Sequence, residues 1–225
     1  EKECLLYLPL YNETLSLEIG IEKDGQIGKA DSPFKKRILI YGSSIVQGAS
    51  ASRPGLAYPA RLSRATGLNF INLGLSGNAK MHFEVADMIR EIPADAYILD
   101  CVPNSSPEEI HERTENLVKT IRAANLHAPI IMIQSLIREG GNWNLKTKER
   151  VSEQNNSFRL AYERLLATGV KDVYFIKEDN FLGDDHEGTV DGTHPNDLGF
   201  DRFLKVVQPQ LLKILGKYSL THNLD

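Results

Sequence analysis

From Arg37 onward, short apolar runs alternate with longer stretches of helical periodicity. Ile38–Tyr41, Asn69–Leu73, Ala96–Leu99, Pro129–Gln134 and Val173–Ile176 are apolar almost throughout, the pattern of strands covered on both faces. Between and after them the spacing predicts helices over about 57–66, 80–91, 106–125, 148–168 and 197–215. The third is the best marked, with Ser106 as N-cap, Pro107 at the first helical position and Glu109 completing a capping box. Strands alternating with helices in this way predict a three-layer α/β/α domain over residues 36–225, built on a parallel sheet of about five strands.

Residues 1–35 follow a different rule. Leu6, Leu8 and Leu10, then Leu15, Leu17, Ile19 and Ile21, alternate as strand residues do, with Asn12-Glu13 as a turn between them. Asp24-Gly25 and the Gly/Asp/Ser/Pro stretch up to Pro33 read as a linker. A β-rich lead-in is therefore expected before the α/β domain.

Composition narrows the function classes. Of 225 residues 41% are hydrophobic and 25% charged, enough for an ordinary packed core. The net charge of −4 and the absence of a basic stripe argue against nucleic acid as a partner, and Phe34-Lys35-Lys36-Arg37 reads as solvated surface. No apolar run approaches the ~20 residues of a membrane span, and the opening residues lack a signal-peptide pattern. Cys4 and Cys101, the two cysteines, do not make a disulfide framework.

In an open α/β sheet, ligands gather beyond the carboxyl ends of the strands. Four loops there, or at the same edge, are unusual. Tyr41-Gly42-Ser43-Ser44-Ile45 places serine at a strand-to-helix turn, where a hydroxyl is exposed and its own N–H faces a developing oxyanion. This is neither a dinucleotide fingerprint nor a phosphate loop. Asn72 to Asn78 carries Gly77, whose N–H no side chain obstructs. In the third loop Asn104 offers an amide donor, although asparagine near a helix start is commonly a turn residue. In the fourth, Asp191 and His194 stand three apart. A carboxylate at that spacing can hold the imidazole by Nδ1–H and leave Nε2 free to take a proton, while Pro195 keeps His194 out of the helical region.

Together these segments resemble the conserved blocks of the SGNH/GDSL hydrolase family, in the family's order. Gly42-Ser43-Ser44-Ile45 matches the Gly-Asp-Ser-Leu block, so the resemblance puts the nucleophile at Ser44 and not Ser43. Gly77 matches the glycine of the second block and Asn104 the asparagine of the third. Asp191 and His194 match the Asp-x-x-His of the last block, with Pro195 after it. Two departures bear on substrate preference: Ser43 stands where the family has aspartate, and Val102-Pro103-Asn104-Ser105 replaces Gly-x-Asn-Asp. The strings YGSSIVQGASASRPG, INLGLSGNAK and DGTHPNDLGF look most like a GDSL-like branch with an N-terminal β-sandwich domain, of which residues 1–35 look like the tail.

The resemblance implies a flavodoxin-like fold and a cofactor-free serine esterase. Its catalytic residues would be Ser44, Asp191 and His194, and its oxyanion hole Ser44, Gly77 and Asn104. It leans toward short acyl groups such as acetyl, carried by a small molecule or a carbohydrate, and toward a periplasmic or secreted setting. Trp143, in the polar loop 137–146, is a candidate for stacking on a sugar ring, and equally for a packing anchor. Two rivals use the same residues: a non-catalytic glycan-binding module, and a metal-dependent hydrolase drawing on Asp184, Asp185, His186, Asp191 and His194.

Overall fold

The computed structural model describes residues 2–221. Its centre is a sheet of β1 (Arg37–Gly42), β2 (Asn69–Gly74), β3 (Ala96–Asp100), β4 (Ile130–Ile133) and β5 (Val173–Ile176). All neighbours pair in parallel, in the order β2-β1-β3-β4-β5. The helices are the short α1 (Ser44–Gln47), then α2 (Tyr58–Thr66), α3 (Phe83–Arg90), α4 (Pro107–Ala124), α5 (Leu145–Ala167) and α6 (Asp197–Gly216).

Alternation along the strands divides the core in two. Ile38, Ile40, Ile98, Ile131 and Ile133 pack with Tyr58 and Leu62 of α2 and Phe200, Phe203 and Val207 of α6. Leu39, Tyr41, Tyr97, Leu99 and Met132 pack on the other side with Ile89 of α3, Leu117 and Ile121 of α4 and Phe158 of α5. Both side-chain sets are buried, which is why the strands read as continuous apolar runs.

Local signals set the helix ends. Ser106 and Glu109 form the expected reciprocal capping box of α4. α5 begins at Leu145, earlier than the hydrophobic period predicts, because the Asn144 side chain accepts from the Thr147 N–H at 3.3 Å and caps it.

The lead-in departs from expectation. Residues 2–35 contain no strand, and Leu15, Leu17, Ile19 and Ile21 are exposed. Alternation needs a partner edge to become a ladder, and none of the described residues supplies one.

The register explains where chemistry can gather. Gly42 pairs with Gly74 on one side and Asp100 on the other, so β1, β2 and β3 end on one line and their loops leave the sheet together.

Candidate active site

The turn after β1 is tight because Gly42 lacks a side chain. A Cβ there would lie 2.1 Å from Val46 Cγ2 and 2.3 Å from the Asp100 carbonyl oxygen. Ser43 is the N-cap of α1: its hydroxyl accepts from the Ile45 N–H at 3.2 Å, and its own N–H donates to the Asp100 carbonyl at 3.3 Å. Ser43 is thus wholly buried and committed to the turn. Ser44, the first helical residue, is left to face the rim.

There the Ser44 hydroxyl lies 2.9 Å from His194 Nε2, across 150 residues of chain. His194 Nδ1 lies 2.7 Å from Asp191 Oδ2. The other carboxylate oxygen accepts from the Thr193 and His194 N–H groups at 2.9 and 2.8 Å, which fixes the carboxylate against its own turn. Partial burial pushes the Asp191 carboxyl up. The His194 N–H, the imidazole and the Thr193 N–H outweigh that and hold it down at about 2.

The loop holding this pair is tied down on both sides. Val190 donates to the His194 carbonyl at 3.0 Å, and Asn196 caps α6 by accepting from the Gly199 N–H at 2.9 Å. On the far side the Gly140 N–H donates to the Gly192 carbonyl at 2.8 Å, joining loop 137–146 to the histidine loop.

Gly77 sits at φ 72°, in the left-handed region, with no heavy atom within 4 Å of where a Cβ would stand. Neither its N–H nor that of Ser44 is donated within the described chain. Gln47 holds the approach to Gly77, accepting from the Ser76 N–H at 2.9 Å while donating to the Leu10 carbonyl at 2.9 Å. Asn104 lies in a single 3-10 turn, Val102–Asn104, and its Oδ1 accepts from the Ala79 N–H at 3.3 Å. With the oxygen so engaged, the amide nitrogen is the group left to donate. A hydroxyl aligned with an imidazole, the imidazole aligned with a carboxylate, and three N–H donors on neighbouring loops are the parts of an acyl-transfer site.

Residues 35–212 match the family model of the GDSL-like Lipase/Acylhydrolase family. The chain belongs to this family. A candidate GDSL-like lipase from Bacteroides ovatus is 62% identical, with a TM-score of 0.92; the match covers 93% of this chain and 62% of that one. The chain therefore spans less than two thirds of that protein's length. A salicylyl-acyltransferase from a tetracycline biosynthetic pathway shares the fold at 21% identity and TM-score 0.69, over 83% of this chain and 56% of its own. A family two carbohydrate esterase from Cellvibrio japonicus does so at 14% identity and TM-score 0.59, over 81% of this chain and 62% of its own. No curated protein matches the chain at a significant level.

In this GDSL-like chain the acidic residues near the histidine loop are dispersed. Asp185 pairs with Arg202, Asp184 accepts from Asn180, and His186 Nδ1 lies 2.7 Å from Glu139. Among the described residues no three His, Cys, Asp or Glu side chains converge as a metal site requires. Trp143 is 73% exposed, and its ring edge stands 3.5 Å from where a Gly192 Cβ would be, beside the Asp191 turn.

Sequence reasoning missed three polar residues around the loops. Asp100 ends an otherwise apolar strand and is buried, accepting from the Tyr58 hydroxyl at 2.8 Å. Burial pushes its carboxyl up to about 7, against the lowering effect of that hydrogen bond. Arg138 and Gln154 reach the turn that carries Asn104. The signal for Gln154 was a polar residue at core spacing between Val151 and Phe158.

Proposed function

We propose that this protein hydrolyses carboxylic esters through an acyl-enzyme, with Ser44 as nucleophile, His194 as general base and Asp191 as the residue that holds the imidazole. The observation that carries the reading is the continuous line from the Ser44 hydroxyl to His194 Nε2 at 2.9 Å and from His194 Nδ1 to Asp191 at 2.7 Å. Ser44 Oγ attacks the ester carbonyl and its proton passes to His194 Nε2. The carbonyl oxygen, now negative, takes hydrogen bonds from the Ser44 and Gly77 N–H groups and the Asn104 amide. Each such donor contributes on the order of 3 kcal/mol in the transition state. Collapse of the tetrahedral intermediate expels the alcohol, which takes the proton from His194. Water then attacks the acyl-serine with the same imidazole as base, releasing the acid and restoring Ser44.

The substrate we propose is a short acyl ester, acetyl foremost, on a carbohydrate. The exposed Trp143 ring beside the Asp191 turn supplies a flat apolar face for a sugar. Acetate release from acetylated saccharides, set beside a p-nitrophenyl ester series of increasing chain length, tests this. Rates should fall beyond the shortest esters, and Trp143→Ala should raise KM for the saccharide while sparing p-nitrophenyl acetate. Fastest turnover on long-chain esters would overturn it.

The exposed alternation of Leu15, Leu17, Ile19 and Ile21 supports a further part of the reading: residues 1–35 are the tail of a β-domain whose partner strands would cover these side chains. The tail reaches the catalytic domain through Leu10, bonded to Gln47, and Tyr11, whose hydroxyl donates to the Ser44 carbonyl at 3.4 Å.

A further inference from the structure

The Val102–Asn104 turn is held from beneath by two side chains of distant origin. Gln154 comes from the middle of α5 and is fully buried. Its Nε2 donates to the Ser105 carbonyl at 2.5 Å and lies 3.4 Å from the Val102 carbonyl and 3.5 Å from that of Pro103. Arg138, from the loop after β4, donates from Nη2 to the Pro103 carbonyl at 2.9 Å. The Pro103 and Ser105 carbonyls, on either side of Asn104, thus each accept from one of these two side chains.

The arrangement is costly. Gln154 Oε1, the Ser105 hydroxyl and Arg138 Nε are all buried without a partner. Gln154 thus satisfies the Ser105 carbonyl at the expense of its own buried oxygen, which finds no donor. Its neighbours on the same helix face, Val151, Phe158, Ala161 and Leu165, are apolar. Partial burial also lowers the pKa of Arg138. Polar groups kept in a core with atoms left unpaired are a mark of a site that positions something.

We propose that Gln154 and Arg138 are positioning residues that clamp the Val102–Asn104 turn, fixing the Asn104 amide where the oxyanion develops. The inference rests on the esterase reading, because Asn104 matters only if it donates to that oxyanion. The clamp works through geometry: the backbone carbonyls fix the turn, and Ala79 fixes the amide by its oxygen at 3.3 Å. A displacement of about 1 Å in such a donor can cost on the order of 10²-fold in rate.

The test is a double-mutant cycle in this chain, with p-nitrophenyl acetate as substrate and thermal unfolding measured alongside. Asn104→Ala should lower kcat about 10²-fold. Gln154→Leu, close in shape, removes the donor to the Ser105 carbonyl and should lower kcat roughly tenfold or more with KM nearly unchanged, with a modest fall in Tm from the carbonyl left unpaired. In the Asn104→Ala background the same change should add little, since the group it positions is gone. Arg138→Met should lower kcat in the same way and Arg138→Lys should recover part of it, which keeps the test open if the Gln154 variant fails to fold. An unchanged kcat in both Gln154→Leu and Arg138→Met overturns the clamp, as does an equal loss with and without Asn104. If Asn104→Ala itself leaves kcat intact, the assignment of the oxyanion hole falls, and the clamp with it.

Discussion

At the nucleophile turn two adjacent serines have different partners. The Ser43 hydroxyl is spent on the Ile45 N–H, and the Ser44 hydroxyl meets His194. Ser44→Ala should lower kcat by about 10⁴-fold or more, leaving what the donors and binding alone supply. Ser43→Ala should cost about 1 kcal/mol of stability through the lost cap and reduce turnover only modestly. Asp100 makes a pH-dependent prediction. Its folded pKa of about 7 lies above the ~3.9 of an unfolded aspartate, so the folded state holds the extra proton between these values. Stability therefore falls as pH rises through that window. Asp100→Asn, which cannot ionise, should gain in Tm relative to the parent protein as pH goes from 4 to 8. A constant Tm difference across that range would contradict the account. Asp191 has the opposite sign: its contribution is complete above the unfolded value and is lost only as pH falls toward about 2. At this scale the loop motifs and the family resemblance they carry pointed to Ser44, Gly77, Asn104, Asp191 and His194, and the structure brings the hydroxyl, imidazole and carboxylate into line. Asp100, Arg138 and Gln154 were not legible, since their roles come from tertiary contacts up to 52 residues apart in the chain.

Among elements, the helix that follows the histidine decides where the imidazole stands. Gly199, in the first turn of α6, lies against the Gly188 carbonyl, and a Cβ there would come within 1.9 Å of that oxygen. Gly199→Ala must therefore push the histidine loop off the helix. It should cost about 1–3 kcal/mol and lower kcat, whereas Gly67→Ala, at the left-handed C-cap of α2 (φ 70°), should lose some stability through its backbone and spare activity. Comparing Tm and kcat of the two variants checks this. The strands and helices of the α/β domain were readable because each apolar run is buried on both faces and each helix carries one apolar stripe. The start of α5 was not, because its signal is a single capping asparagine inside a polar loop.

Across the whole molecule, the three layers serve to end β1, β2 and β3 on one line, so that loops far apart in sequence share one rim. The lead-in stands outside that scheme. Alternating leucines and isoleucines state a preference for extended backbone, and only a neighbouring edge can turn the preference into a sheet. Leu15, Leu17 and Ile19 are 86%, 57% and 59% exposed, so replacing all three with serine should leave the Tm of this chain unchanged. A lowered Tm would show that they bury surface in the domain. No described helix is long and apolar enough to cross a membrane.

The most direct test of the account is the identity of the residue labelled by a fluorophosphonate, read by peptide mass spectrometry. Ser44 should carry the adduct, Ser44→Ala should carry none, and His194→Ala should label far more slowly. An adduct on Ser43, or no adduct on a folded protein, would contradict the assignment, the latter being what a module that binds glycans without catalysis would give.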